Sequence, residues 1–541
     1  MRCLKTPLAT LPLLLGTSLP ALAAADLDAR IHAQLAGDRS GACVAVAVID
    51  GPQVSRSLQC ARAQDLPRIA GRTAFEIGSL SKPMTATLLA RLIAAGNGSL
   101  DDPLADWLPA GTLVPDWQGQ PIRLRHLVTH TSGLPALPPG MEGADAQNPY
   151  AKLDADAVLA ALGKVQLAAA PGSAHAYSNY ASMLLSLAVA RRSGQDLAQL
   201  LERELFTPLG MADAHLGAAP LGVRLAQPHT GNGQPTPAWD MATGLAGIGG
   251  VRATLEDMVA WAQAQLGRAP ADLEPALALT RQPLLEQPPM GMNWFLAPLD
   301  GRPVLVHEGG TGGSSSYMAV DRGRQRAVVV LSDTSWTAAG GIGTFGQHLL
   351  DARLPAFRPR LPGPAPAGLL DRLAGDYDLA GMRVRLQPAE GQLLMLADGE
   401  EPLPLQHDSA GDFHPDGIDA RLEVVDAGPG RPTLVWHQGG GRQPLLPVTA
   451  AGQAAAGPAR LADYAGQYPL QPGFVLSVDE DNGRLRARAT GQGAFHLDPD
   501  GEDTFAAPAF GLRLQFHRDA DGSIQGLTLH QAGNRMRAPR R

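Results

Sequence analysis

Apolar residues at helical spacing mark residues 79–95, where Met84, Leu88, Leu89, Leu92 and Ile93 fall on one face and Gly96-Asn97-Gly98 ends the run. A second such run follows Tyr177-Ser178-Asn179, with Ala181, Leu184, Leu185, Leu187 and Ala188. Residues 26–35 read as an opening helix, and a further helix is expected near 343–352. Strand patterns occupy 44–50 and 54–60, joined by a turn at Gly51-Pro52, and return at 304–307, 315–320 and 327–332. Residues 100–270 are mostly helix and loop. Strands at both ends with helices inserted between them predict an α+β domain whose single antiparallel sheet is built from both of its termini.

The hairpin carries a geometric expectation. If Asp50 faces Gln53 across the turn, Cys43 falls directly opposite Cys60, where a cross-strand disulfide can form. The alternative is two buried free thiols. The bridge is the favoured reading, as structural support.

Beyond Pro355, Pro359, Pro362, Pro364 and Pro366, which read as a semi-rigid linker, the texture changes to short alternating strands with Gly and Asp turns. This tail repeats. Ala374-Gly375-Asp376-Tyr377 resembles Ala465-Gly466-Gln467-Tyr468, and His437-Gln438-Gly439-Gly440 resembles His530-Gln531-Ala532-Gly533 at nearly the same spacing. Two small antiparallel β-barrels are expected, with one larger β domain as the alternative. The equivalent positions of His437 and His530 favour structural roles. The expected organisation is a signal peptide at 1–25, a catalytic domain at 26–355, a linker at 356–368, a barrel at 369–448, a linker at 449–460 and a second barrel at 461–541.

The signal peptide rests on Arg2 and Lys5, the apolar run 11–15 and the small-residue site Ala21-Leu22-Ala23. It implies a secreted, periplasmic product. The net charge is −8, and no basic patch suggests nucleic acid. No later stretch is long and apolar enough to span a membrane. Of 44 basic residues only four are lysines, Lys5, Lys82, Lys152 and Lys164.

One of those four stands in a chemically suggestive place. In Phe75-Glu76-Ile77-Gly78-Ser79-Leu80-Ser81-Lys82, Ser79 sits where a loop becomes a helix, and Lys82 follows one turn later on the same face. A helix start stabilises negative charge on the serine oxygen, and a desolvated lysine can accept its proton. This is an S-x-x-K nucleophile arrangement. Two further elements are Tyr177-Ser178-Asn179 and the Gly-rich turn His307-Glu308-Gly309-Gly310-Thr311-Gly312-Gly313. The turn lacks the Lys-Ser or Lys-Thr of a phosphate loop and the second His of a zinc motif. No cofactor and no metal are expected.

Together, in this order, the three elements resemble the penicillin-recognising serine hydrolases, in the class C β-lactamase-like branch. Thr129-His130-Thr131 before Gly133-Leu134-Pro135 matches that branch, as do Gly249–Thr254 before Asp257-Met258, and Gly291-Met292-Asn293-Trp294. The resemblance covers about residues 30–350. It implies a β-lactamase/DD-peptidase-like fold in which Ser79 forms an acyl-enzyme and Lys82 with Tyr177 moves the proton. It further implies that Asn179 hydrogen-bonds Lys82 and the substrate amide, that the backbone N–H groups of Ser79 and Gly310 form the oxyanion hole, and that Gly309 and Gly310 let the substrate backbone approach the strand edge. His130 lies near the cleft by the resemblance, but as a residue it reads as a satisfied core histidine.

One departure matters. The branch's lactamases carry Lys-Thr where this chain has His307-Glu308, so a cationic carboxylate anchor is missing unless His307 is protonated. The H-x-G variants include D-aminopeptidases, peptidases and esterases, and the two tail barrels resemble the D-aminopeptidase layout. The resulting expectation is a D-aminopeptidase-like hydrolase of short peptides containing D-residues, with Glu308 or an acidic tail residue binding the substrate amine. The alternatives are a class C-like β-lactamase, an esterase, or a penicillin- or peptidoglycan-binding protein with little turnover. The expected partner is a small peptide, amide or ester substrate; oligomeric state is not assigned.

Overall fold

The computed structural model describes residues 19–541 except 39, 142–143, 146, 337–341, 360–362, 380–381, 398–401, 416–419, 427–431, 439–440, 449–460, 472–473, 482–483, 491–493, 502, 508–511, 520–521 and 532–533. The chain divides into two compact units between Pro359 and Arg360.

In the first unit an eight-stranded antiparallel sheet contains β1 (Cys43–Asp50), β2 (Gln53–Cys60), β3 (Leu285–Glu286), β4 (Pro289–Met290), β5 (Phe295–Leu299), β6 (Arg302–Gly310), β7 (Ser315–Asp321) and β8 (Arg326–Ser332). Its order is β2-β1-β8-β7-β6-β5-β4-β3, so strands from both ends of the unit meet at the β1–β8 pair, where Val46 faces Val330. Alternation splits the apolar residues between two cores. Ala45, Ala47 and Ile49 of β1, with Val329 and Leu331 of β8, face the helical insert. Val44, Val46, Val48, Val328 and Val330 face α1 (Leu19–Leu35) and α5 (Gly343–Leu350). The hairpin pairs Asp50 with Gln53 and Cys43 with Cys60, and a disulfide joins the two cysteines.

The helix that carries the S-x-x-K motif, α2 (Ser81–Ala94), is buried along Ser81–Ala90. It begins after a short 3-10 turn at Gly78–Leu80. Beside it lies α3 (Asn179–Ser193). Ser178 caps α3 by accepting the Ala181 N–H at 3.0 Å, and Gly194 closes it at φ 67°. A capping box between Thr254 and Asp257 opens α4 (Leu255–Gln263).

Two expectations are corrected. The opening helix starts at Leu19 rather than near residue 26, because 19–25 are Ala- and Leu-rich and contain no breaker after Pro20, a residue helix starts tolerate. It therefore runs into the segment read as a signal peptide, whose first 18 residues lie outside the described residues. The strand expected at 304–307 continues to Gly310, since Gly309 and Gly310 pair with Ser316 and Ser315 instead of turning.

The second unit holds two barrels. Eight strands from Gly375–Leu379 to Gly441–Pro447 form a closed barrel in sequential order, its first strand pairing with its last. Eight more, from Gly466–Gln471 to Asn534–Pro539, are also sequential, and backbone hydrogen bonds between Gln467 and Arg541 draw their ends together. Each has its own apolar filling. The repeat extends to detail: Tyr377 and Tyr468 each donate a 2.6 Å hydrogen bond to the carbonyl four residues earlier. The linker expected at 449–460 lies outside the described residues. Among the described residues no helix is long and apolar enough to cross a membrane, and no cluster of His, Cys, Asp and Glu could hold a metal.

Candidate active site

Ser79 lies in the 3-10 turn feeding α2, one residue past Gly78, which adopts φ 51°. Gly78 packs directly on β6: a Cβ there would come within 2.5 Å of Gly310 N. Gly309 is equally confined, because a Cβ would strike the Ile77 carbonyl. Ser316 Oγ donates to that same carbonyl at 2.7 Å. The nucleophile's turn and the end of β6 are thus clamped backbone to backbone, a closeness only glycine allows.

Lys82 is 1% exposed. Its Nζ lies 2.8 Å from Ser79 Oγ and donates to the Ile248 carbonyl at 2.6 Å. Burial without an opposing carboxylate lowers its pKa to about 7. The ammonium end also sits 5.1 Å from the centre of the Tyr177 ring. The Tyr177 hydroxyl lies close enough to Ser79 to be influenced by it. Desolvation of its hydroxyl raises its pKa above the usual tyrosine range, with Ser79 opposing the shift.

β5 pairs with β6 only from Arg302 to Val306. From His307 to Gly310, β6 pairs with β7 on one side, leaving the backbone edge toward Ser79 without a strand partner. His307 is buried among Trp294 and Phe295. Its Nδ1–H donates to the Glu308 carbonyl at 2.7 Å, which leaves Nε2 as a bare lone pair. Desolvation, helped by the Lys82 charge, lowers its pKa to about 3. His307 is therefore neutral and does not supply the missing cation.

The structure brings Ser79, Lys82, Tyr177, His307, Gly309 and Gly310 together. Two placements differ from expectation. Asn179 donates through Nδ2 to the Tyr150 hydroxyl at 3.2 Å rather than binding Lys82, whose polar neighbours are Ser79 and Ile248. Glu308, one residue past His307 on an alternating strand, faces the opposite side of the sheet, over Gly343 and paired with Tyr317. From there its carboxylate points away from Ser79.

Sequence reasoning assigned no role to Glu76, Tyr150 or Trp239. Glu76 is buried, accepts from the Trp239 N–H at 2.7 Å and the Thr311 hydroxyl at 2.9 Å, and so ties two cleft segments to the strand before Ser79. Trp239 packs edge-on against Tyr150 at 5.3 Å. Only Glu76 carried a signal, as a carboxylate in an otherwise apolar stretch beside the nucleophile.

The fold and the Ser79–Lys82–Tyr177 constellation define a penicillin-recognising serine hydrolase. The chain belongs to the Beta-lactamase family, whose profile matches residues 27–344. A profile described as a domain of unknown function (DUF3471) matches residues 451–538. Among curated relatives, the D-alanyl-D-alanine-carboxypeptidase/endopeptidase AmpH of Escherichia coli (strain K12) is 35% identical over 295 residues, covering 51% of this chain and 75% of that protein. Esterase EstB of Burkholderia gladioli is 35% identical over 233 residues, covering 40% of this chain and 56% of its own length. The crystal structure of SurE, 22% identical, covers 79% of this chain and all of its own with a TM-score of 0.50, a likeness of fold alone.

Proposed function

We propose that this protein is an exported serine peptidase that cleaves short peptides containing D-residues through an acyl-enzyme at Ser79, and that it does not need a free carboxylate on its substrate. The observation that carries the reading is the pairing of an intact Ser79–Lys82–Tyr177 centre with a neutral His307 where a lactamase-like site would hold a cation.

In this reading Ser79 Oγ attacks the substrate carbonyl while neutral Lys82 takes its proton. The backbone N–H groups of Ser79 and Gly310 stabilise the oxyanion, worth about 3 kcal/mol per donor in comparable sites. The proton held on Lys82 is then passed through the Tyr177 hydroxyl to the leaving nitrogen, so that Tyr177 regains the proton it gives up and Lys82 returns to its neutral form. Water then releases the acyl group by the reverse relay. The bare edge at Glu308–Gly310 accepts the substrate backbone as an added strand. Asn179, held by Tyr150, keeps its buried Oδ1 free for a substrate N–H. The peptidase name of the Escherichia coli relative supports a D-alanyl peptide substrate, and the D-aminopeptidase-like layout remains part of the proposal without Glu308 as amine ligand. Export is proposed from the N-terminal sequence.

A second reading, esterase, is favoured by the same neutral His307 and by the name of the Burkholderia relative. A panel of nitrocefin, D-alanyl anilide, a D-Ala-D-Ala peptide with free or amidated C terminus, and a short acyl ester tests both. The expected result is a kcat/KM at least as high on the amidated peptide as on its free-acid twin. A strong preference for the free acid or for nitrocefin would sink the proposal, and a preference for the ester would select the second reading.

A further inference from the structure

His130 lies in the tight loop after Val128 with a left-handed backbone, φ 54°, and no solvent exposure. A non-glycine residue seldom adopts that conformation, and histidine is among those that do so more often. The consequence is that backbone and side chain point at the same neighbour. The His130 carbonyl accepts the Ala176 N–H at 2.8 Å. Its Nδ1 accepts the Ser178 N–H at 3.2 Å. Between these two bonds its ring covers one face of Tyr177, with centroids 4.2 Å apart and planes inclined by 34°.

One residue therefore grips three consecutive residues, 176 to 178, around the tyrosine that reaches Ser79. Tyr177 precedes α3 and is 37% exposed, so part of the residue stands open to solvent. Neighbouring bonds reinforce the same seam: Ser178 Oγ donates to the Pro135 carbonyl at 2.6 Å, and the Gly172 N–H to the Thr131 carbonyl at 2.7 Å.

We infer that His130 is the positioning residue of the reaction, holding the Tyr177 hydroxyl beside Ser79 through its ring and its Nδ1 bond to Ser178. The inference rests on the catalytic reading of Tyr177. For Nδ1 to accept, the ring must stay neutral with its proton on Nε2. Burial keeps the ring neutral, with Lys82, His307 and His175, whenever any of them is protonated, opposing a proton on His130, and the Ser178 N–H directed at Nδ1 leaves the single ring proton on Nε2. A misplacement of about 1 Å in a reacting group costs roughly a hundredfold in rate.

The test is a double-mutant cycle in the full chain with His130→Asn and Tyr177→Phe. Asn tolerates the left-handed backbone and keeps an acceptor near Nδ1, but removes the ring. Acylation by a fluorophosphonate probe and kcat and KM on the best substrate are read for all four proteins. Expected is a loss of about 30- to 100-fold in kcat for His130→Asn with KM within about twofold, and under about threefold further loss once Tyr177 is Phe. Losses that multiply, or a His130→Asn enzyme as fast as the parent, overturn the positioning role. A fully active Tyr177→Phe enzyme instead overturns the reading of Tyr177, and this inference with it. Should His130→Asn fail to fold, nitrogen-15 NMR of histidine-labelled parent protein decides: a neutral His130 with its proton on Nε2 is expected near neutral pH, and a charged ring or an Nδ1–H tautomer overturns the proposal.

Discussion

If Lys82 is the base that receives the Ser79 proton, acylation must follow the titration of one buried amine. The perturbation is pH alone. Burial brings the Lys82 pKa from 10.5 to about 7. At neutral pH this raises the fraction of unprotonated amine about a thousandfold over an ordinary lysine, which is roughly 5 kcal/mol of desolvation. Below pH 7 the amine is charged, so the acylation rate should fall about tenfold per pH unit and reach about one hundredth of its plateau near pH 5. The neighbouring groups leave this limb unobscured. His307 loses its proton near 3 and His130 well below its ordinary value, both chiefly through burial, while Tyr177 keeps its proton far into the alkaline range. Stability shares the sign. The folded-state pKa lies below the unfolded one, so the unfolded chain binds the extra proton between about 7 and 10.5, and Lys82 opposes folding most below pH 7. Stopped-flow acylation by a pH-insensitive fluorophosphonate gives the profile. A flat profile between about pH 5 and 9, or a limb near 10, would refute a buried neutral lysine as base.

Gly78→Ala should slow acylation by at least about a hundredfold, because its Cβ would displace Gly310 N from the oxyanion site; single-turnover kinetics against the parent checks this. Replacing His307 by Lys should restore a cationic anchor and raise kcat/KM on free-carboxylate peptides relative to their amides, which paired assays on the two peptides will show. Glu308→Gln should leave KM for D-alanyl anilide within about twofold, since Glu308 faces away from Ser79; a large rise would return it to the site. Changing Cys43 and Cys60 together to Ala should cost about 3 kcal/mol for a bridge spanning 17 residues while the folded enzyme keeps its activity, as denaturant titration beside an activity assay will report.

How far the sequence reached depended on whether a signal was local. The hairpin's turn residues set its register, so the facing of Cys43 and Cys60 follows from counting outward from Gly51-Pro52. Ser79 and Lys82 are one helical turn apart, and helix geometry alone put them together. The duplicated barrels were legible because Tyr377 and Tyr468 close the same local bond in each copy. What escaped depended on contacts between distant segments or on facing. Tyr150, which takes the Asn179 amide, lies in a loop without periodicity. Glu308 was read as part of a glycine turn, where either face is open, whereas the strand runs on and alternation turns it away. For His130 the deciding quantity is a left-handed backbone, which histidine adopts more often than most residues but too seldom for its identity alone to announce it.

Among the described residues the apolar interior is not one mass but several: two clusters on either side of the sheet in the first unit, and one inside each barrel. Separate interiors have no obligation to melt together, so a heating curve should resolve more than one calorimetric transition, and a single melting temperature would not describe the molecule. The Cys43–Cys60 bridge crosses only the first unit. Reduction should therefore shift one transition and leave the barrel transitions in place, which makes the thiol a label for deciding which part of the chain each peak belongs to.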